Sequence, residues 1–396
     1  MRTRNLPLLL LLLLAAGLPR PTAADELIFL DGTTTKAPVR QITSDDEVVY
    51  GPKGERADLQ NLRRIRRDIE PKAPPGNPAR LHLLGGGTMP AKSISLGNET
   101  FHVRRLDGGD WQVPMRFVRA VRLPTGKEES PDADRQFAET LESDLRGDRA
   151  LARAGGKIRA VRCGVVALDN RRLTVEYGGE QRSIPRNRLV GIVLAATTRP
   201  PDRTGHCRIT TRHGSTLWGR VTKLENGTLH LEAFPNHQVQ IPWNRIVSLE
   251  VRSERMVYVS DLDPVSVQQG AIVTHPWSYQ RDRNVLGGPL RLADTEYARG
   301  LGTHAPCRLT YSIRRNYTTL AALIGIDDST GEKGDCLFRV FGDGQKLFEK
   351  RIRGTDPPHE IQVDISNHDR ITLAVAPGED LDLADNANWC EARFIR

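Results

Sequence analysis

The chain has 396 residues, 38% of them hydrophobic and only 5% aromatic. It is too long for one small domain and too poor in large apolar side chains for one large core, so several small β units fit better than a single enzyme barrel. The formal net charge of +8 is a mild bias spread along the chain, which an ordinary solvated surface accommodates, and the export expected from the leader below sets nucleic acid aside as a partner.

Arg2 and Arg4 precede an unbroken apolar run, Leu8 to Leu18, and the small residues Thr22, Ala23 and Ala24 follow it. A positive flank, a short apolar segment and a small-residue site make a secretory signal peptide over residues 1–24, with cleavage expected after Ala24. The run is eleven residues long, against the roughly twenty a spanning helix needs. No later stretch is apolar enough to span, so the expectation is an exported protein, periplasmic or extracellular, without stable membrane insertion. Loss of Arg2, Arg4 and Arg20 would lower the charge to about +5. Export permits disulfides, but five cysteines leave at least one thiol free. Strand alternation turns Cys307, Cys336 and Cys390 inward, and no Cys/His pair has zinc spacing.

Before residue 262 the chain repeats itself. Segments beginning at Ala57, Val113, Ile184 and Ile241 carry apolar residues at offsets 0, 5 and 8, and the last three also at offset 10, where the first has Arg67. Such recurrence marks a repeated structural unit. In each copy alternating strands flank Gly-containing turns, clearest around Asn226-Gly227, and a turn, opened by Pro in the last three copies, leads into a closing strand. Five short strands in about fifty residues resemble an SH3-like or Sm-like barrel. The expected units span 25–70, 79–124, 155–197 and 205–260, and Ile184, Leu189, Ile192, Ile241, Ile246 and Leu249 should be buried. Residues 131–154 interrupt the series, and the spacing of Phe137, Leu141 and Leu145 predicts an amphipathic helix there. Pro-rich stretches at 71–78 and 197–201 read as linkers.

The last third, 262–396, reads as seven or so antiparallel strands with turn residues between them, the pattern of a jelly-roll β-sandwich. The expected fold class is therefore all-β, several small barrels followed by a sandwich. Its loops carry a recognisable run: Tyr297-Ala-Arg-Gly-Leu-Gly-Thr-His304, then Gly325-Ile-Asp327-Asp328, Phe338-Arg-Val-Phe-Gly-Asp343-Gly, and Asp385-Asn-Ala-Asn-Trp389. This order resembles the NPCBM family of carbohydrate-binding modules, and the resemblance implies a galactose-binding-like sandwich that holds a sugar at its loop end. The family's closing motif usually reads Asp-His-Ala-Asp-Trp, and here Asn386 and Asn388 replace its His and its second carboxylate.

Sugar recognition needs a flat aromatic face for the apolar side of a pyranose and planar polar groups for its hydroxyls. Trp277 and Tyr279 offer the first, and His304, Asp385 and Asn386, with Asn388, offer the second. Trp389 reads as a plug at the sandwich edge. Asp327, Asp328, Asp335, Asp380 and Asp382 crowd Gly-rich loops whose oxygens would suit calcium. No calcium-loop spacing is present, so solvated turn carboxylates are the better reading, with no cofactor and no metal expected. No carboxylate pair on a rigid scaffold, Gly-x-Ser-x-Gly, His-Glu-x-x-His or phosphate loop marks an active site. The expected function is a non-enzymatic carbohydrate-binding protein of the cell envelope, with a glycan or polysaccharide as partner. The alternative is an envelope scaffold whose barrels contact other proteins.

Overall fold

The computed structural model describes residues 24–124, 131–143, 145–196, 203, 205–273, 275–379 and 381–396. The leader up to residue 23, the linker at 197–201 and Asp380 therefore lie outside the described residues. Among those described, the protein is all-β and antiparallel throughout, with one α-helix, Pro131–Glu142, and no helix long and apolar enough to cross a membrane.

Each repeat closes through a single 3-10 turn followed by a strand. The turns are Leu59–Asn61, Met115–Phe117, Arg186–Arg188 and Trp243–Arg245. In the last three copies the residue before the turn is Pro114, Pro185 or Pro242, with φ between −58° and −55°, the value the proline ring presets. The first copy has Asp58 there instead, and its carboxylate caps the turn by accepting from Gln60 N. After the turn, Leu62, Val118, Leu189 and Ile246, then Ile65, Val121, Ile192 and Leu249, all enter the core. Ile241 is buried as expected, whereas Ile184 is only half-buried, because the strand Glu180–Pro185 that carries it is largely exposed.

The four units are fused. Strand Leu62–Arg66 pairs with Ile246–Val251, setting Ile65 opposite Leu249. Strand Val118–Arg122 pairs with Leu189–Val193, setting Val121 opposite Ile192. The same anchor of the repeat thus sits at the middle of both contacts, joining first to fourth and second to third. Thr88 and Thr216 stitch the two pairs together, and one continuous apolar core runs from Leu27 to Val251. Arg67, which stands where the other copies have an apolar residue, is nearly buried. Its guanidinium pairs with the buried Asp25 at 2.7 Å and lies 4.6 Å from the ring centre of Trp243 in the fourth unit.

The stretch read as a helical insertion divides in two. Ala133 and Phe137 dock the helix on Ala120, Leu151, Val190 and Val193, but Arg149–Ala154 is a strand paired with Lys157–Arg162 and with Leu189–Val193. The third unit therefore begins before residue 155. Arg149 to Ala154 favour the sheet because Ala150 and Leu151 complete its two buried faces. Gly191 makes room for the helix: a Cβ there would lie 2.7 Å from the Phe137 ring.

The C-terminal part is a two-sheet sandwich. One sheet orders Gln280–Arg281, Gly300–His304, Asn386–Ile395, Thr319–Ile326 and His359–Asp364, and the other orders Ser266–Gln269, Cys307–Ser312, Arg370–Pro377, Asp335–Gly342 and Gln345–Arg353. Trp389 is fully buried and meets Phe338 of the facing sheet edge-to-face at 5.2 Å, so it fills the centre of the core rather than plugging an edge. Strand Asn386–Ile395 is buried on both faces. Leu290 and Leu292 cover Cys390, and Leu30 of the N-terminal part covers Ile395 and Ala321. All five cysteines are buried and none is joined in a disulfide.

Candidate functional site

Nearly all the loop residues singled out above converge on one end of the sandwich. Strand Gly300–His304 ends there and Asn386–Ile395 begins there, so His304 and Asn386 face each other across the ladder. The extended segment before Gln280 brings Trp277 to the same place, held by Gln269, whose Nε2 donates to the Trp277 carbonyl at 2.6 Å. The Trp277 ring is half-buried and lies in an aromatic row, 4.4 Å from His275 and 6.3 Å from His304 between ring centres. The two tilted imidazole rings fix the angle of the indole.

His304 is almost wholly buried. Burial holds its pKa below the usual histidine range, against the opposing pull of the Ala305 carbonyl and Asp382. A proton on Nδ1 satisfies the Ala305 carbonyl at 2.7 Å and leaves Nε2 as an acceptor.

Tyr279 does not join this row. Its ring packs against the sandwich core and its hydroxyl accepts from Arg281, which pairs with Asp263. Asp385 is near the site in sequence and fold but fully buried, and one carboxylate oxygen accepts from Asp335 N at 2.9 Å. It braces the loop and does not present itself to a ligand. Asn388 is equally deep, donating to Asp327 and to the Arg291 carbonyl.

The aspartates read as solvated turn residues are for the most part structural. Asp327 is buried and accepts from Asn284, Ser329 N, Arg291 N and Asn388. Asp335 is buried beside Arg351, whose guanidinium holds its carboxyl below the usual carboxylate range. Asp382 is buried with both oxygens accepting, from Ile272 N at 2.8 Å and Val273 N at 2.9 Å. Of those that lie among the described residues, only Asp328 keeps partial exposure, receiving Ala293 N and Asp294 N. Among the described residues no group of three or more His, Cys, Asp or Glu side chains is arranged to hold a metal ion.

Asp382 and His275 were not legible as site residues. The one available signal for His275 was its spacing of two from Trp277, which places both on one face of an extended segment. Four about half-exposed aliphatic residues, Ile272, Val273, Leu381 and Leu383, flank the two bonds that Asp382 accepts.

Residues 255–395 are an NPCBM/NEW2 domain. The NPCBM/NEW2 segment begins with strand Met256–Tyr258, which pairs with the end of Asn386–Ile395 and closes the sandwich, so the domain starts several residues earlier than 262. The chain is 32% identical over 114 residues to a protein of Renibacterium salmoninarum named "Putative endo-alpha-N-acetylgalactosaminidase". That match covers 28% of this chain and 7% of the relative's length. Among solved structures, a CBM51 module from Clostridium perfringens in complex with methyl-galactose is 24% identical, covering 35% of this chain and 99% of that one, with a TM-score of 0.32. A second from the same organism, comprising a CBM51 module and INT domains, is 24% identical over 43% of this chain and 36% of that one, with a TM-score of 0.34.

Proposed function

We propose that the NPCBM domain binds a glycan at its loop end, within an exported and non-enzymatic protein of the cell envelope. The observation that carries this reading is the partly exposed Trp277, in ring contact with His275 and with His304, which faces Asn386 across the ladder. A pyranose lays its C–H face on such a ring, and the His304 acceptor and the Asn386 amide supply the planar polar contacts its hydroxyls need. Asp327, Asp335, Asp382 and Asp385 at the same end are committed to internal hydrogen bonds, an arrangement that suits a binding site better than acid–base catalysis. Export rests on the leader segment.

The test is a glycan array probed with the full chain and with Trp277→Ala. Loss of a stacked ring costs about 1–3 kcal/mol, so every hit should weaken roughly tenfold or more while the melting temperature stays within a degree or two. A large fall in melting temperature would show that Trp277 is a core residue, and an array without hits would count against glycan binding.

One observation favours the scaffold reading as a second possibility. Among the described residues, strand Lys157–Arg162 of the third unit pairs on one side only, with Arg149–Ala154, and exposes Val161, with Val166 and Tyr177 exposed on the same unit. An open edge with apolar side chains accepts a partner strand.

A further inference from the structure

A groove of about 1340 Å³ lies between the second and third repeat units and the linker at 75–79. Pockets for small ligands usually measure about 300–1,000 Å³, so this one suits a segment of a polymer. Its charged lining is Lys92, Arg171 and Arg186 against one carboxylate, Asp169. That carboxylate is already engaged, with one oxygen accepting from Arg171 N and Arg172 N, each at 2.7 Å. The remaining polar lining includes Ser93, Ser95 and Asn187, all able to donate.

Arg186 is the unusual member. It sits at the start of the 3-10 turn of the third repeat, with its backbone N–H tied to the Arg171 carbonyl at 2.8 Å. Its side chain is half-buried, and burial alone draws its pKa below the usual guanidinium range, with no carboxylate opposing that shift. Among the described residues no acidic side chain pairs with it. Arg67 and Arg122, which are more deeply enclosed, each have an aspartate at 2.7 Å. A partly dehydrated guanidinium without a counter-charge is unfavourable in the free protein and ready for a bidentate anion.

We propose that this groove binds an acidic saccharide chain, with a uronate or sulfate group of the chain paired to Arg186 and its hydroxyls met by the serine and asparagine donors. The choice of a saccharide as carrier rests on the glycan reading of the NPCBM domain; the anion site does not.

Titration calorimetry on the full chain tests it, using tetragalacturonate, a sulfated galactan tetrasaccharide, the neutral galactotetraose and tetraglutamate. At least one acidic saccharide should bind ten times more tightly than the neutral one, losing affinity as salt is raised. Arg186→Gln should abolish that tenfold preference. It should also leave the melting temperature unchanged or higher, since it removes a partly dehydrated charge that has no counter-charge, and this readout separates loss of the site from loss of the fold. Trp277→Ala should leave the acidic saccharide bound as in the wild type, so failure of the loop-end site and failure of this one are distinguishable. Binding unaffected by Arg186→Gln, or equal binding of galactotetraose, would overturn the site. Tetraglutamate bound as tightly as tetragalacturonate would overturn its assignment to a saccharide.

Discussion

Asp382 is fully buried between two leucines that are about half exposed, an inversion of what their side chains prefer. The cause lies in another loop, where the N–H groups of Ile272 and Val273 find no strand partner and both donate to its carboxylate. This pair of charge-assisted bonds ties the loop after Pro377 to the segment that delivers His275 and Trp277. Asp382→Ala would leave two backbone donors unpaired, at a cost of about 2–4 kcal/mol. The melting temperature should fall by several degrees and glycan affinity should weaken with it, whereas Asp382→Asn should keep part of both. An alanine variant that melts like the wild type would show that the two loops are held by something else. At this scale the sequence was only half legible. Aspartates in Gly-rich loops read as solvated, and Asp327 is buried because Asn284 and Asn388, distant in the chain, reach it. Nothing local announces a partner that far away.

Secondary-structure elements were easier to read than their neighbours. The spacing of Phe137, Leu141 and Leu145 reports a helix because an apolar stripe is a local property. That the next strand, Arg149–Ala154, belongs to the sheet is not local, since its apolar partners are in Leu189–Val193. The helix covers His82, whose ring lies 5.4 Å from that of Phe137 at 50°. Burial, helped by Arg80 and Arg122, lowers the His82 pKa to about 4. Asp134 on the same helix is paired with Arg122 at 2.7 Å. In the folded protein His82 stays neutral to about pH 4, whereas in the unfolded chain it takes a proton below about 6.5. The stability this contributes is therefore fully present above about pH 6.5 and is lost as the pH falls towards 4. The loss is on the order of 2–3 kcal/mol. Urea unfolding at pH 7 and pH 4.5 should show it, and His82→Leu should flatten much of the difference. His304, shifted the same way by burial, accounts for a residual slope. A His82→Leu variant as pH-sensitive as the wild type would locate the titration elsewhere.

Two bodies make up the molecule, the fused repeats and the sandwich, and they share a short seam. Leu30 packs on Ala321 and Ile395, the buried Arg393 donates to the Leu30 carbonyl at 2.9 Å, and Arg63 pairs with Glu391. Repetition was visible in the sequence, but fusion was not, because alternation tells which side chains point inward and says nothing of which strand lies alongside. Only the recurrence of one anchor at the same offset in all four copies hinted at a common role, and the structure gives it: Ile65 faces Leu249, and Val121 faces Ile192, at the centre of the contacts between units. A unit that shares one continuous core with its neighbour should not unfold alone. Leu249→Ala removes a fully buried side chain at a cost of about 2–5 kcal/mol. Independent barrels would confine the damage to the fourth unit. In a fused core, amide exchange should rise in Leu62–Arg66 of the first unit as much as in Ile246–Val251 of the fourth, because the same cavity borders both strands and their ladder must open together. Hydrogen–deuterium exchange read by mass spectrometry resolves those two segments, which are far apart in sequence. Faster exchange in Ile246–Val251 with Leu62–Arg66 unchanged would mean that the units open separately and that the pairing between them is a contact of docked barrels.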